Sequence, residues 1–237
     1  MKKTLMSATL GIFCASALFA ADDAKSDAKA EVKAAAKKLG DKANYSWTST
    51  IKMEGGSGNF RPGPTEGQSA DGIVYLKNSF NDRTIEAAAK GEKVIVKGED
   101  GWESGEDAQG PGQFMARRMK TFKAPVAEAA DLADKAKALN NAEGAISGDL
   151  TEAGAKELLT LGRRPGGNAN APAPKDAKGT VKFWIKDAEL AKYELNVQGK
   201  ITGRDDNEMT INRTTTVEIK DAGKTKLSLS DEAKKKL

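Results

Sequence analysis

Apolar and polar residues alternate along VKFWIKDAELAKYELNVQGKI, residues 181–201. Val181, Phe183 and Ile185 share one side, against Lys182, Trp184 and Lys186. Ala191, Tyr193, Leu195, Val197 and Ile201 repeat the pattern, against Lys192, Glu194, Asn196, Gln198 and Lys200. A period of two places such residues on the two faces of a half-buried strand. Tyr45, Trp47, Ser49, Ile51 and Met53 predict another strand. Met209, Ile211, Thr215, Val217 and Ile219 predict a third, with Thr210, Asn212, Thr214, Thr216 and Glu218 outward. DGIVYLKN and DRTIEAAAKGEKVIVKGEDGW read as short strands joined at Lys90-Gly91-Glu92 and Glu99-Asp100-Gly101.

Elsewhere the period lengthens. Val32, Ala35, Ala36 and Leu39 recur at helical spacing and stop at Gly40. Met115, Met119 and Phe122, with Phe114 adjacent, mark a helix interrupted before Pro125. Val126, Ala129, Leu132, Ala133, Ala136 and Leu139 extend a second helical segment, with Asn140 and Asn141 as terminators. AISGDL is a short extended piece, and Thr151 is placed to cap the helix EAGAKELLTLG. Two stretches rich in Gly and Pro, residues 55–72 and 162–179, read as flexible loops, the first excluded from any strand interior. TKLSL adds an extended piece before a charged tail.

The chain opens MKKTLMSATLGIFCASALFA, the basic, apolar and small-residue regions of a secretory signal peptide, residues 1–20. Gly11 and Phe13 stand where a lipidation signal around Cys14 requires Leu and a small residue. The expected product, residues 21–237, is therefore a single unlipidated domain in the periplasm, without stable membrane insertion. Removing the leader takes away two lysines and no acid, lowering the formal charge from +4 to +2. That small excess and the few aromatics argue against a nucleic-acid surface. With no histidine in the chain and its one cysteine in the leader, the commonest general base, metal ligand and thiol nucleophile are missing. The expectation is a protein that is not an enzyme, with no cofactor and no metal.

Short connections and one-sided strands predict an α+β fold: a strongly curved antiparallel sheet, a half-barrel, wrapped around helices. At this point the chain resembles the periplasmic half-barrel family of LolA-like lipoprotein carriers, LppX/LprG-type lipid-binding proteins and the RseB sensor domain. The resemblance is carried by the opening helix with NYSWTSTIKM, by KGEKVIVKGEDGW, by GAISGDLTEAGAKELL and by GTVKFWIKDAELAKYELNVQG. The last is similar to the family's Gly-Thr-x-x-x-Trp-Ile strand, although Ala188 stands where a turn glycine is expected. The resemblance implies an apolar cavity for acyl chains between sheet and helices.

Tyr45, Trp47, Ile51, Phe183, Tyr193 and Leu195 on the sheet, with Phe114, Met115, Met119 and Phe122 on the helix, are the candidate lining. Two readings stand. Flexible methionines and aromatics suit a wall that accepts variable chains; the same spacing suits an ordinary packed core. Arg117, Arg118, Lys120 and Lys123, with Arg163 and Arg164, read as a solvated face or as a contact for anionic head groups. The acidic residues around Trp102 read as solvated turns rather than a calcium loop. Trp184, outward among lysines, reads as an aromatic under long side-chain stems or as a docking residue. The functional expectation is an exported, non-catalytic binder or carrier of lipid or lipoprotein acyl chains. The alternative is an interaction or sensor module of the same fold, without lipid and with an envelope protein as partner.

Overall fold

The computed structural model describes residues 20–54, 63–80, 83–160, 172–202 and 207–237. The signal-peptide reading falls almost wholly outside them. The chain begins with α1 (Ala20–Gly40) and runs through β1 (Asn44–Glu54), β2 (Thr65–Ala70), β3 (Ile73–Phe80), β4 (Arg83–Lys90), β5 (Lys93–Gly98) and β6 (Gly101–Ser104). Helices α2 (Gly110–Thr121) and α3 (Pro125–Lys135) follow, then β7 (Asn140–Ala142), β8 (Ala145–Asp149) and α4 (Glu152–Thr160). Strands β9 (Lys175–Lys186), β10 (Glu189–Thr202) and β11 (Glu208–Lys220) and the short α5 (Asp231–Lys236) complete it.

All eleven strands join one open antiparallel sheet in the order β6-β5-β4-β3-β2-β1-β11-β10-β9-β8-β7. The first half of the chain lays strands outward from β1. The second half returns from the opposite edge until β11 pairs with β1, with Trp47 opposite Ile219 and Ile51 opposite Thr215. Tight hairpins impose the antiparallel sense. Their turns take positive φ at Asp71-Gly72, Glu143-Gly144 and Asp187-Ala188.

One face of this sheet wraps α1 to α4 in a common core, drawing Val32 and Leu39 from α1, Met115 and Met119 from α2, Leu132 from α3 and Leu158 from α4. Small residues let the helices approach: Ala36 on α1 and Ala129 and Ala133 on α3 are fully buried. α2 lies against β4 and β5, and α1 and α4 lie against β9 and β10. No helix makes comparable contact with β1, β2 or β11 among the described residues. The outer face carries a second apolar cluster, in which Leu229 and Ala233 of the C-terminal segment cover Tyr75, Ile95 and Trp102. Ser230 caps α5 by accepting from the Ala233 N–H at 3.2 Å.

Three expected boundaries move. Residues 65–70, expected in a loop, form β2. A Cβ on Gly67 would come within 2.0 Å of the Trp47 indole, so this glycine gives the ring its bed. Residues 175–179, assigned to the second loop, begin β9. There a Cβ on Gly179 would meet the Asn196 carbonyl at 2.4 Å. The apolar spacing through Ala136 and Leu139 does not stay helical. Ala136 turns extended and bridges Leu150, and the Lys137 N–H bonds the Asp149 carbonyl at 2.8 Å. Strand pairing captures that chain, and Asn140 and Asn141 open β7 instead of ending a helix. Residues 225–229 add no strand; they run irregularly into the outer cluster.

Candidate functional site

The alternation read from the sequence places Phe183 and Tyr193 opposite each other on the inner face, ring centroids 6.4 Å apart. Both are fully buried, with Leu195 beside them. Tyr45 and Trp47 follow on β1 at 5.6 Å, and Trp47 stacks on Phe122 at 6.1 Å with planes 11° apart. Met115 and Met119 are buried in the same core. These eight residues come together. Phe114 does not: it is 53% exposed and is a correction to the expected lining, since the buried face of α2 is formed by Met115, Ala116 and Met119. Ile51 faces inward but stays half-exposed.

Its position marks a change along the central strands. On β1, Tyr45 and Trp47 are sealed, Ile51 is half-exposed and Met53 is 39% exposed. On β11, Val217 is sealed, whereas Ile219, Thr215, Arg213, Ile211 and Met209, all of the same parity, keep partial solvent contact, with Ile211 and Ile219 packed against the core. Burial of the inner-parity residues thus falls along β1, from Tyr45 and Trp47 to Met53. Arg213 lies opposite Met53 on β1 and Val197 on β10.

A polar pair is buried against this core. The Tyr193 hydroxyl donates to a Glu128 carboxylate oxygen at the start of α3. Burial pushes the Glu128 carboxyl above the usual carboxylate range, against the opposing pull of Tyr193 and Arg118. Burial first, and then the Glu128 charge, raises the Tyr193 phenol. Arg118 and Arg213 are both lowered by burial and both feel Glu128 as their opposing charge. Arg213 donates Nη2 to the Leu158 carbonyl at 2.9 Å, while its buried Nε has no partner. Arg118 makes no hydrogen bond or ion pair among the described residues. Asp131, one turn along α3, is already engaged by Lys135 at 2.7 Å and Lys123 at 3.1 Å.

Of the basic residues expected on a solvated face or at a head-group contact, Arg117 and Lys120 are exposed, whereas Arg118 is partly buried. Glu128 and Arg213 had been assigned no role. Their signal was present: Arg118 shares the helical stripe of Met115 and Phe122, Glu128 precedes Leu132 by one turn, and Arg213 has the parity of Ile211 and Thr215. Arg163 and Arg164 lie outside the described residues. Trp184 is on the outer face, with the Lys192 ammonium 4.9 Å above its ring and Lys192 its cross-strand partner. Trp102 is buried beneath the C-terminal segment, and Lys236 donates to its carbonyl at 2.5 Å. No helix among the described residues is long and apolar enough to cross a membrane.

No family model and no curated protein matches the chain. Solved structures do. The chain is similar to the Mycobacterium tuberculosis lipoprotein LppX, with a TM-score of 0.46 and 10% identity over 85% of this chain and 98% of that one. LprF from Mycobacterium bovis gives a TM-score of 0.42 and 8% identity over 86% and 97%. A DUF1329 family protein from Desulfovibrio piger gives 0.25 and 10% over 88% and 95%. Each likeness concerns the course of the chain, at identities too low to match residue to residue.

Proposed function

We propose that the protein is an exported, non-catalytic binder or carrier of an acyl-chain-bearing molecule, acting from the periplasm as one domain. The observation that supports this reading is the loss of burial along the inner side of β1, from Trp47 to Met53. Ile51, Met53 and Met209 have the parity of the helix-covered side, and they retain solvent contact there. Apolar surface left uncovered on a concave face costs about 25 cal/mol per Å², and an acyl chain laid along it removes that cost. Binding is non-covalent: the chain enters beside β1 and β11 and lies on these side chains, while the packed end at Phe183 and Tyr193 holds the scaffold.

Native mass spectrometry of protein purified from its own envelope, before and after solvent extraction, tests the reading. A lipid-sized mass lost on extraction is the expected result. A clean unliganded mass in both samples overturns it and favours an interaction module of the same architecture.

A further inference from the structure

Helix α2 buries Met115, Ala116 and Met119. At about 3.6 residues per turn its opposite side holds Gly110, Phe114, Arg117 and Thr121, and all four are exposed. Lys120, one turn beyond Arg117, is exposed as well. Phe114 and Met53 are the only large hydrophobic residues exposed among those described, and Phe114 is the more exposed at 53%. The charged residues of α2 are Arg117, Arg118 and Lys120, and it contains no acid. No ion pair or hydrogen bond engages the Arg117 or Lys120 side chain among the described residues. Lys123, just past the helix, is by contrast held by Asp131 at 3.1 Å. The nearest preceding acids, Glu106 and Asp107, belong to a turn that meets α2 from its buried side, where a Cβ on Gly105 would lie 3.0 Å from the Ala116 Cβ.

We infer that the exposed side of α2 docks on an anionic lipid bilayer, with Phe114 entering the head-group region and Arg117 and Lys120 meeting the lipid phosphates. The two halves of the feature call for the same surface. Cations without counter-charges are drawn to anionic head groups, and an aromatic ring between them gains by leaving water at the acyl boundary. A protein partner fits this side less well. A stable protein interface takes roughly 800 Å² from each partner around an apolar centre, whereas Phe114 is the single large apolar residue exposed on this helix. The contact is shallow and reversible, since one ring and two unpaired cations carry it.

The experiment uses protein beginning at Ala21, so that the apolar leader cannot bind lipid in its place. Sedimentation with vesicles of phosphatidylglycerol and phosphatidylcholine in equal parts is compared with vesicles of phosphatidylcholine alone. Partitioning into the mixed vesicles should be ~10-fold or more the stronger and should weaken with added salt. Arg117→Gln and Lys120→Gln should each reduce it ~5-fold, and Phe114→Ser by a similar factor. All three side chains are exposed, so these variants keep the fold. Phe114→Trp should be quenched by lipids brominated along the acyl chain, above the background that the unmodified protein sets, which contact through charge alone does not produce. Equal partitioning into both vesicles overturns the proposal, as does an anionic preference that survives Phe114→Ser and Arg117→Gln. Binding to polyglutamate with none to the mixed vesicles assigns this side of α2 to an acidic protein and overturns the bilayer. These readouts do not depend on what the inner face of the sheet holds, so the acyl-chain reading stands or falls separately.

Discussion

Phe183 on β9 and Ile51 on β1 occupy equivalent places in the alternation: both are apolar and both point to the inner face. Phe183 has no solvent contact, whereas Ile51 remains half-exposed. The difference comes from what lies above them. α1 and α4 press on β9 and β10, while among the described residues β1 and β11 meet the helices through fewer contacts, such as Phe122 on Trp47 and Arg213 on the Leu158 carbonyl. Strand periodicity therefore determines direction, and the distribution of helices determines whether an inward residue becomes core or wall.

The sharpest way to break this comparison is to place a carboxylate at both positions. Phe183→Asp removes a buried aromatic, worth about 3–5 kcal/mol, and adds an uncompensated charge, a loss approaching the roughly 5–15 kcal/mol stability of a typical domain. Ile51→Asp should cost less than about 1.5 kcal/mol and weaken acyl-chain binding instead. Denaturant midpoints measure both, and similar losses would make Ile51 part of the core. A smaller effect is expected at Gly67, where Gly67→Val drives methyl groups into the Trp47 ring at about 1–3 kcal/mol. If the midpoint does not move, the indole is not seated on β2.

A third measurement concerns the boundary between the two regions. The folded-state pKa of Glu128 is raised, so the native protein keeps a proton that the unfolded chain has released. Its contribution to stability is greatest below the unfolded carboxylate value, about 4.3, and falls as pH rises toward the folded value. Arg118 and Arg213 stay charged throughout that window, Asp131 titrates below it and Tyr193 above it. Glu128→Gln should flatten the fall, read as midpoints from pH 4 to 8; an unchanged profile would place the carboxylate in water. The smallest expected effect is a gain. Asp187 and Ala188 both have positive φ, and Ala188→Gly should stabilise the β9–β10 hairpin by roughly 0.5–1 kcal/mol without touching ligand binding.

Much of this architecture was legible from alternation and spacing. The facing of Phe183, Tyr193, Trp47 and Val217, the antiparallel sheet and the Thr151 cap, with the Gly154 N–H donating to its hydroxyl at 3.0 Å, all follow from local rules. β2 was not legible, because TEGQSA has almost no apolar alternation; its glycine serves a ring twenty residues away in sequence. The outer cluster was hidden for a similar reason. Leu229 and Ala233 look like part of a charged tail until tertiary folding brings them over Trp102. The partial burial of Arg118 and Arg213 runs against the usual surface preference of arginine. An inward-parity arginine on a strand and a second one on a methionine stripe were the available signs.

The pairing of β1 with β11 has a consequence for biogenesis. The two strands at the middle of the sheet lie at opposite ends of the strand sequence, with Ser46 opposite Lys220. As the chain emerges, β1 pairs locally with β2 and then presents its other edge, unpaired, until nearly all remaining residues have followed. An exposed edge of that kind is a template for association with other chains, and a closure of such long range is slow. Shielding of this nascent edge, and intact delivery of β11, should therefore govern how much protein reaches the folded state.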